Sequence, residues 1–182
     1  MNVKLRAETV ATFRHVNVNL METLATWVPG TPEMEVKVLF GRHLWRFAQI
    51  ADALGRRTAE LRAPRHHDRV PAQAFAVALR ALAAVTASGA RIQALYGAVL
   101  PALETAYLAY LEETDRLIDE PTVVLCESAL RECAAMRSEA MALLEEITVL
   151  VTASCDEPAR LAQLFVTANP ICDYLDQQDA AA

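Results

Sequence analysis

His43 is the residue in this chain best placed to do chemistry. It lies in the stretch FGRHLWRFAQIADALGRR, from Phe40 to Arg57. Steps of three and four from Val36 through Phe40, His43, Phe47, Ile50 and Leu54 put it on the apolar side of a helix. An imidazole there can ligate a metal, form half of an acid–base pair, or satisfy a polar group on a neighbouring helix. The carboxylates that could join it from other segments are Glu22, Glu104 and Glu132, and His15 shares a helix face with Glu22. Convergence of three of these would make a single-metal site or a general acid–base pair. The commonest site built inside a helical bundle is different. It is a dimetal centre of two Glu-x-x-His pairs and two further Glu, since residues i and i+3 project from one face. No Glu here has His three residues later, and none of the 4 histidines lies beyond His67.

Other chemistries are less well supported. Cys126, Cys133, Cys155 and Cys172 form no Cys-x-x-Cys pair and no zinc-ligand spacing, so buried thiols are expected. Tyr96, Tyr107 and Tyr110 follow one side of a helical segment. They are expected in the core or at its rim with hydroxyls reaching solvent, or as flat walls of a small-molecule pocket. Trp27 and Trp45 admit the same two roles. Arg56, Arg57, Arg62, Arg65 and Arg69, with His66 and His67, make the exit of the second helix locally basic, diluted by Glu60 and Asp68. A solvated loop is expected there, with docking of an anionic group as the alternative. There is no Gly-rich phosphate loop and no Gly-x-Ser-x-Gly elbow.

These residues must be positioned by helices. Hydrophobic residues make up 54% of the 182, glycine is scarce, and Ala and Leu are abundant. The first helix is expected from Leu5 to Val28, stopped by Pro29-Gly30, with Thr31-Pro32-Glu33 opening a second that runs to Arg62. A third begins at Pro71 and continues to Asp119, with a kink or division near Gly89 or Pro101. Asp119-Glu120-Pro121 opens a fourth, to Ser154, and a short fifth spans Glu157 to Val166 before an Asn169-Pro170 turn and the tail DQQDAAA. Apolar stripes of helical period mark each long segment. They are Phe13, Val16, Leu20, Leu24 and Trp27; Leu95, Val99, Leu103, Tyr107 and Leu111; and Cys126, Leu130, Cys133, Met136, Ala140, Leu143 and Ile147. Four such stripes bury one another in an all-α bundle of one domain, residues 1–182, with its core over about 5–154 and the C-terminal helix and tail at 157–182.

The formal net charge of −6 argues against a general nucleic-acid binder. The opening MNVKLRAETV lacks a signal peptide's apolar stretch, and no uncharged run is longer than Ile92 to Leu103, which is too short to span a bilayer. A cytoplasmic protein without nucleic-acid or membrane partners is expected.

Two blocks carry a family resemblance. METLATWVPGTPEMEVKVLFGRHLWRFAQIADALGRR resembles the first helical hairpin of ferritin-like proteins. LPALETAYLAYLEETDRLIDEPTVVLCESALRECAAMRSEAMALLEE resembles the second. The resemblance covers roughly residues 8 to 150 and implies a ferritin-like four-helix bundle with a short additional C-terminal helix. It also places the family's two Glu-x-x-His pairs at Phe47 and Ile50 and at Cys133 and Met136, where every residue is apolar or sulfur-bearing. The resemblance therefore implies a bundle without its dimetal centre. Phe47, Ile50, Tyr107, Cys133 and Met136 are then expected to line an apolar pocket for a small apolar molecule. His43, with Glu22, Glu104 or Glu132, would be its polar anchor or acid–base group, and no metal or cofactor is expected. The alternatives are an iron- or manganese-dependent oxidase on Glu22, His43, Glu104 and Glu132, and a non-catalytic scaffold that pairs as a homodimer.

Overall fold

Asn2 starts the first helix. Its side-chain oxygen accepts from the Leu5 amide at 2.9 Å, and α1 runs Val3–Gly30. The structure, a computed structural model, describes residues 1–62, 68–147, 157–168 and 170–172. Thr31 closes α1 rather than opening α2 as expected. Its hydroxyl donates to the Trp27 carbonyl at 2.8 Å and its amide bonds the Val28 carbonyl, and α2 begins later, at Met34–Glu60. The last carbonyls of a helix lack intrahelical donors, so a hydroxyl beside them is captured there.

The expected third helix is two. α3 spans Gln73–Ala83, and α4 spans Ser88–Glu113. The break falls before Gly89, and its carbonyls are claimed by one side chain from α1 and one from the next helix. The Trp27 indole donates to Ala83 O at 3.3 Å and Arg91 Nε to Val85 O at 2.9 Å. Inside α4, Leu95–Val99 widens into a π-turn, in which the Leu100 amide bonds Leu95 O. Pro101 follows directly. It brings no amide hydrogen to the ladder, which is where such wide turns are tolerated.

α5 starts at the expected signal and spans Glu120–Glu146. Ile147 is no longer helical, so the helix is shorter than the expected one, whose remainder to Ser154 lies outside the described residues. α6 spans Glu157–Thr167; Cys155, Asn169 and the DQQDAAA tail also lie outside them. Among the described residues every regular element is helical.

Side-chain contacts fix the directions of the four long helices. Arg57, late in α2, meets Asp119 at the start of α5, whereas Arg42, early in α2, meets Glu139 late in α5, so the two are antiparallel. Trp27 at the end of α1 meets Arg91 at the start of α4, and Asn17 meets Tyr107 further along, so these are antiparallel too. With α1 and α2 forming a tight hairpin, the order is up, down, down, up. The parallel step from α2 to α4 is bridged by a long crossover that contains α3. α6 packs on that crossover through Phe165 and Phe75, whose rings meet edge-on at 5.2 Å.

The expected stripes form the core. Phe13, Val16, Leu20, Leu24 and Trp27 of α1, Phe40 and Phe47 of α2, Leu95, Val99, Leu103 and Tyr107 of α4, and Cys126, Cys133 and Met136 of α5 are all buried. α4 is long and apolar enough in composition to suit a bilayer, because its apolar stretch continues beyond Glu104, past the uncharged run at 92–103. Its most apolar window is nevertheless 61% buried inside the protein, so that surface already has partners.

Candidate functional site

His43 sits one helical step from Phe40 and Phe47 and is fully buried. Two helices reach it. Tyr96, held in the π-turn of α4, places its Oη 2.7 Å from Nδ1, and Glu139 of α5 places Oε2 3.1 Å from Nε2. A carboxylate only accepts, so Nε2 carries the proton and donates to Glu139, leaving Nδ1 to accept from the Tyr96 hydroxyl. Glu139 is held further by Arg46 Nη2 at 2.7 Å and Arg42 Nη1 at 3.1 Å. Arg46 also reaches Glu132, Nε to Oε2 at 3.6 Å. The result is a chain of donors running from a buried tyrosine through a buried imidazole to a carboxylate at the surface.

The protonation states are locked. Burial pushes the His43 imidazole down to about 4, against the pull of Glu139, so it is neutral at physiological pH. Partial burial would raise the Glu139 carboxyl, but the hydrogen bonds from His43, Arg46 and Arg42 outweigh it and hold it down to about 2. Burial pushes the Tyr96 hydroxyl well above its ordinary range. A general acid or base works best with a pKa near the working pH, and none of the three has one. The cluster is built to hold a fixed charge in a fixed place.

Glu139 and Arg42 stand at one end of a groove of about 470 Å³ between α2 and α5, whose apolar walls are Met34, Val38, Leu39 and Leu143. Across the charged cluster lies a smaller hollow of about 230 Å³, lined by Ile50, Leu54 and Ala129 together with Arg46 and Glu132. The α2–α5 seam is therefore a furrow divided by an ion-pair cluster.

The residues expected from sequence are only partly brought together. Of the three candidate carboxylates, Glu132 touches the cluster, at second remove through Arg46. Glu22 is exposed on α1, and Glu104 pairs with Arg137 at 2.7 Å, its other oxygen buried without a hydrogen bond. His15 bonds Asp68 at 2.9 Å instead of Glu22. Phe47, Cys133 and Met136 are fully buried core residues, and Ile50 is half-buried at the smaller hollow. Tyr107 is fully buried, its oxygen accepting from Asn17 at 2.8 Å. The tyrosine hydroxyls thus meet His43, Asn17 and Asp119 rather than solvent. Trp27 is buried and Trp45 exposed. Of the basic residues, Arg56 and Arg57 lie in the last turns of α2 and pair with Asp52 and Glu60, Arg69 pairs with Glu8, and Arg65, His66 and His67 lie outside the described residues.

Sequence reasoning missed Glu139, Arg42 and Arg46. A signal was present: Glu139 follows Met136 by three on the edge of the α5 stripe, and the two arginines flank His43.

The donor set does not suit a dimetal centre. Among the described residues no three of His, Cys, Asp and Glu gather as ligands, and His43 and Glu139 are already bonded to each other. Comparison with known proteins finds no family model, no curated protein and no solved structure that matches the chain.

Proposed function

We propose that this is a ferritin-like helical bundle that has given up its dimetal centre and binds a small apolar molecule in the α2–α5 groove without a metal. The up-down-down-up order with one long crossover is the arrangement ferritin-like bundles use, which supports the fold reading. The site reading rests on one observation above all. A fully buried neutral His43 fixes the Glu139 carboxylate at the head of an apolar groove of about 470 Å³. Small-molecule sites combine apolar walls with a few fixed polar groups in this way. With both ionisation states locked, binding is favoured over acid–base turnover.

Titration with N-phenyl-1-naphthylamine, a neutral apolar dye that brightens on leaving water, tests the site. Saturable binding at one site per chain is expected, and Leu143→Asp, which places a charge on the groove wall, abolishes it. Absent saturation, or a variant that binds as well as the parent, overturns the proposal.

A second reading is favoured by the exposed edge of α2, which begins at the groove's own Met34 and Val38. Met34, Val38 and Trp45 are 65%, 52% and 63% exposed and lie on one helical stripe with Gly41 between them. Large apolar side chains grouped in this way mark contact surfaces, here for a second copy of the chain. Sedimentation equilibrium is expected to show a dimer that Trp45→Glu dissociates; a monomer at all concentrations removes this reading.

A further inference from the structure

The groove at Glu139 has charged liners besides its ion pair, and they share one sign. Arg42 bonds Glu139 at 3.1 Å, which leaves Glu35 and Glu146 as the remaining charged liners. Both are exposed, and neither has an ion-pair partner among the described residues. Glu35 lies in the first turn of α2, where a carboxylate complements the helix dipole. Glu146 lies in the last turn of α5, where it does not. That turn has no basic residue, so Glu146 adds its charge to a helix end that is already negative. The groove therefore has direction: a charge-balanced cluster of Arg42, Arg46, Glu139 and Glu132 at one end, apolar walls along Val38, Leu39 and Leu143, and a negative rim formed by Glu35 and Glu146.

We infer that the occupant is an apolar cation, an aliphatic or aromatic amine whose hydrocarbon body lies on Val38, Leu39 and Leu143 and whose ammonium group is met by Glu35 and Glu146. This rests on the binding role proposed above and names its ligand class. Apolar contact supplies the affinity, and the two carboxylates select the charge. An anion of the same shape meets two like charges at the rim, and a neutral analogue meets no counter-charge. Because the carboxylates are exposed, the selection is screened by salt.

Calorimetric titration of the full chain at neutral pH with octylammonium, octanol and octanoate tests this, since the three differ only in the head group. Octylammonium is expected to bind about tenfold more tightly than octanol at low ionic strength, with octanoate weakest. The Glu35→Gln/Glu146→Gln double variant is expected to bring octylammonium to the level of octanol while leaving octanol unchanged. Added salt should narrow the difference in the parent chain alone. Equal binding of all three, abolished by Leu143→Asp, defeats the amine assignment and leaves the groove as a neutral apolar site. Tightest binding of octanoate, or an octylammonium advantage that survives in the double variant, also overturns the assignment. Binding of none of the three defeats the small-molecule site itself. A basic amphipathic peptide that binds where octylammonium does not replaces the amine with a partner chain.

Discussion

Replacing Asp119 with asparagine is expected to lower the unfolding free energy by about 3–5 kcal/mol, the usual result of taking one partner from a buried ion pair. Asp119 is fully buried where four helix ends meet. Arg57 of α2 donates to Oδ1 at 3.0 Å, and Arg6 of α1 lies 3.8 Å from Oδ2. Thr122 and Thr114 donate at 2.7 and 3.0 Å, and the Tyr110 hydroxyl donates as well. Burial alone would raise this carboxyl, but the hydrogen bonds from Tyr110, Thr122, Arg57 and Thr114 prevail and keep it below its ordinary range. Asparagine keeps the shape and removes the charge, leaving the buried Arg6 without its counter-ion and Arg57 with Glu60 alone. Domains are stable by only about 5–15 kcal/mol, so the loss takes a large share of the total. Urea denaturation measures it directly. A loss under about 1 kcal/mol would show that water or rearrangement satisfies the arginines and that the carboxylate does not clamp the helix ends.

The second large effect is a loss of stability on mild acidification, centred on His43. Its folded pKa is depressed to about 4 from an ordinary 6.5. As pH falls through 6.5 the unfolded chain takes up a proton that the folded chain refuses, so stability falls until about pH 4, where both are protonated. A shift of this size corresponds to about 3 kcal/mol lost across that window. Glu139 acts in the same direction but later. Its carboxyl is depressed from 4.5 to about 2, so its contribution is present above 4.5 and declines below it, and partial exposure screens that loss. Denaturation midpoints at pH 7, 6, 5 and 4.5 separate the two, because His43→Gln removes the first titration, while Glu139 keeps its arginine bonds and titrates only below this range. The variant is expected to start less stable and then to lose about 2–3 kcal/mol less than the parent between pH 7 and 4.5. Parallel curves for parent and variant would show that protonated His43 is accommodated, and the buried imidazole would then not be the acid-sensitive group.

The helices are legible in the sequence because their signals are local. Stripes at steps of three and four identify the buried faces of all four long helices, and Asp119-Glu120-Pro121 marks the start of α5. Thr31 misleads because a threonine between two helices can cap either one, and the choice depends on whether the Trp27 carbonyl lies within reach. The full break before α4 is hidden for a related reason. Its carbonyls bond Trp27 and Arg91, and the indole is more than fifty residues away from the carbonyl it meets. His43 is visible because one imidazole among apolar neighbours stands out. Its partners are not, because which carboxylate faces a given helix depends on how α2 and α5 are rotated against each other. Glu22, Glu104 and Glu132 have equally good spacing, and Glu139 has the right rotation.

The π-turn at Leu95–Val99 has a consequence for how one helix addresses several neighbours. At about 100° per residue, Tyr96 and Tyr107, eleven positions apart, would fall almost on the same line of a regular helix. The wide turn takes up its five residues with less rotation, so everything after it is out of phase with everything before. Tyr96 consequently looks to α2, while Tyr107 looks to Asn17 on α1. A single continuous rod thereby behaves as two rods set at different rotations, and the phase slip between them lets His43 have a tyrosine at all.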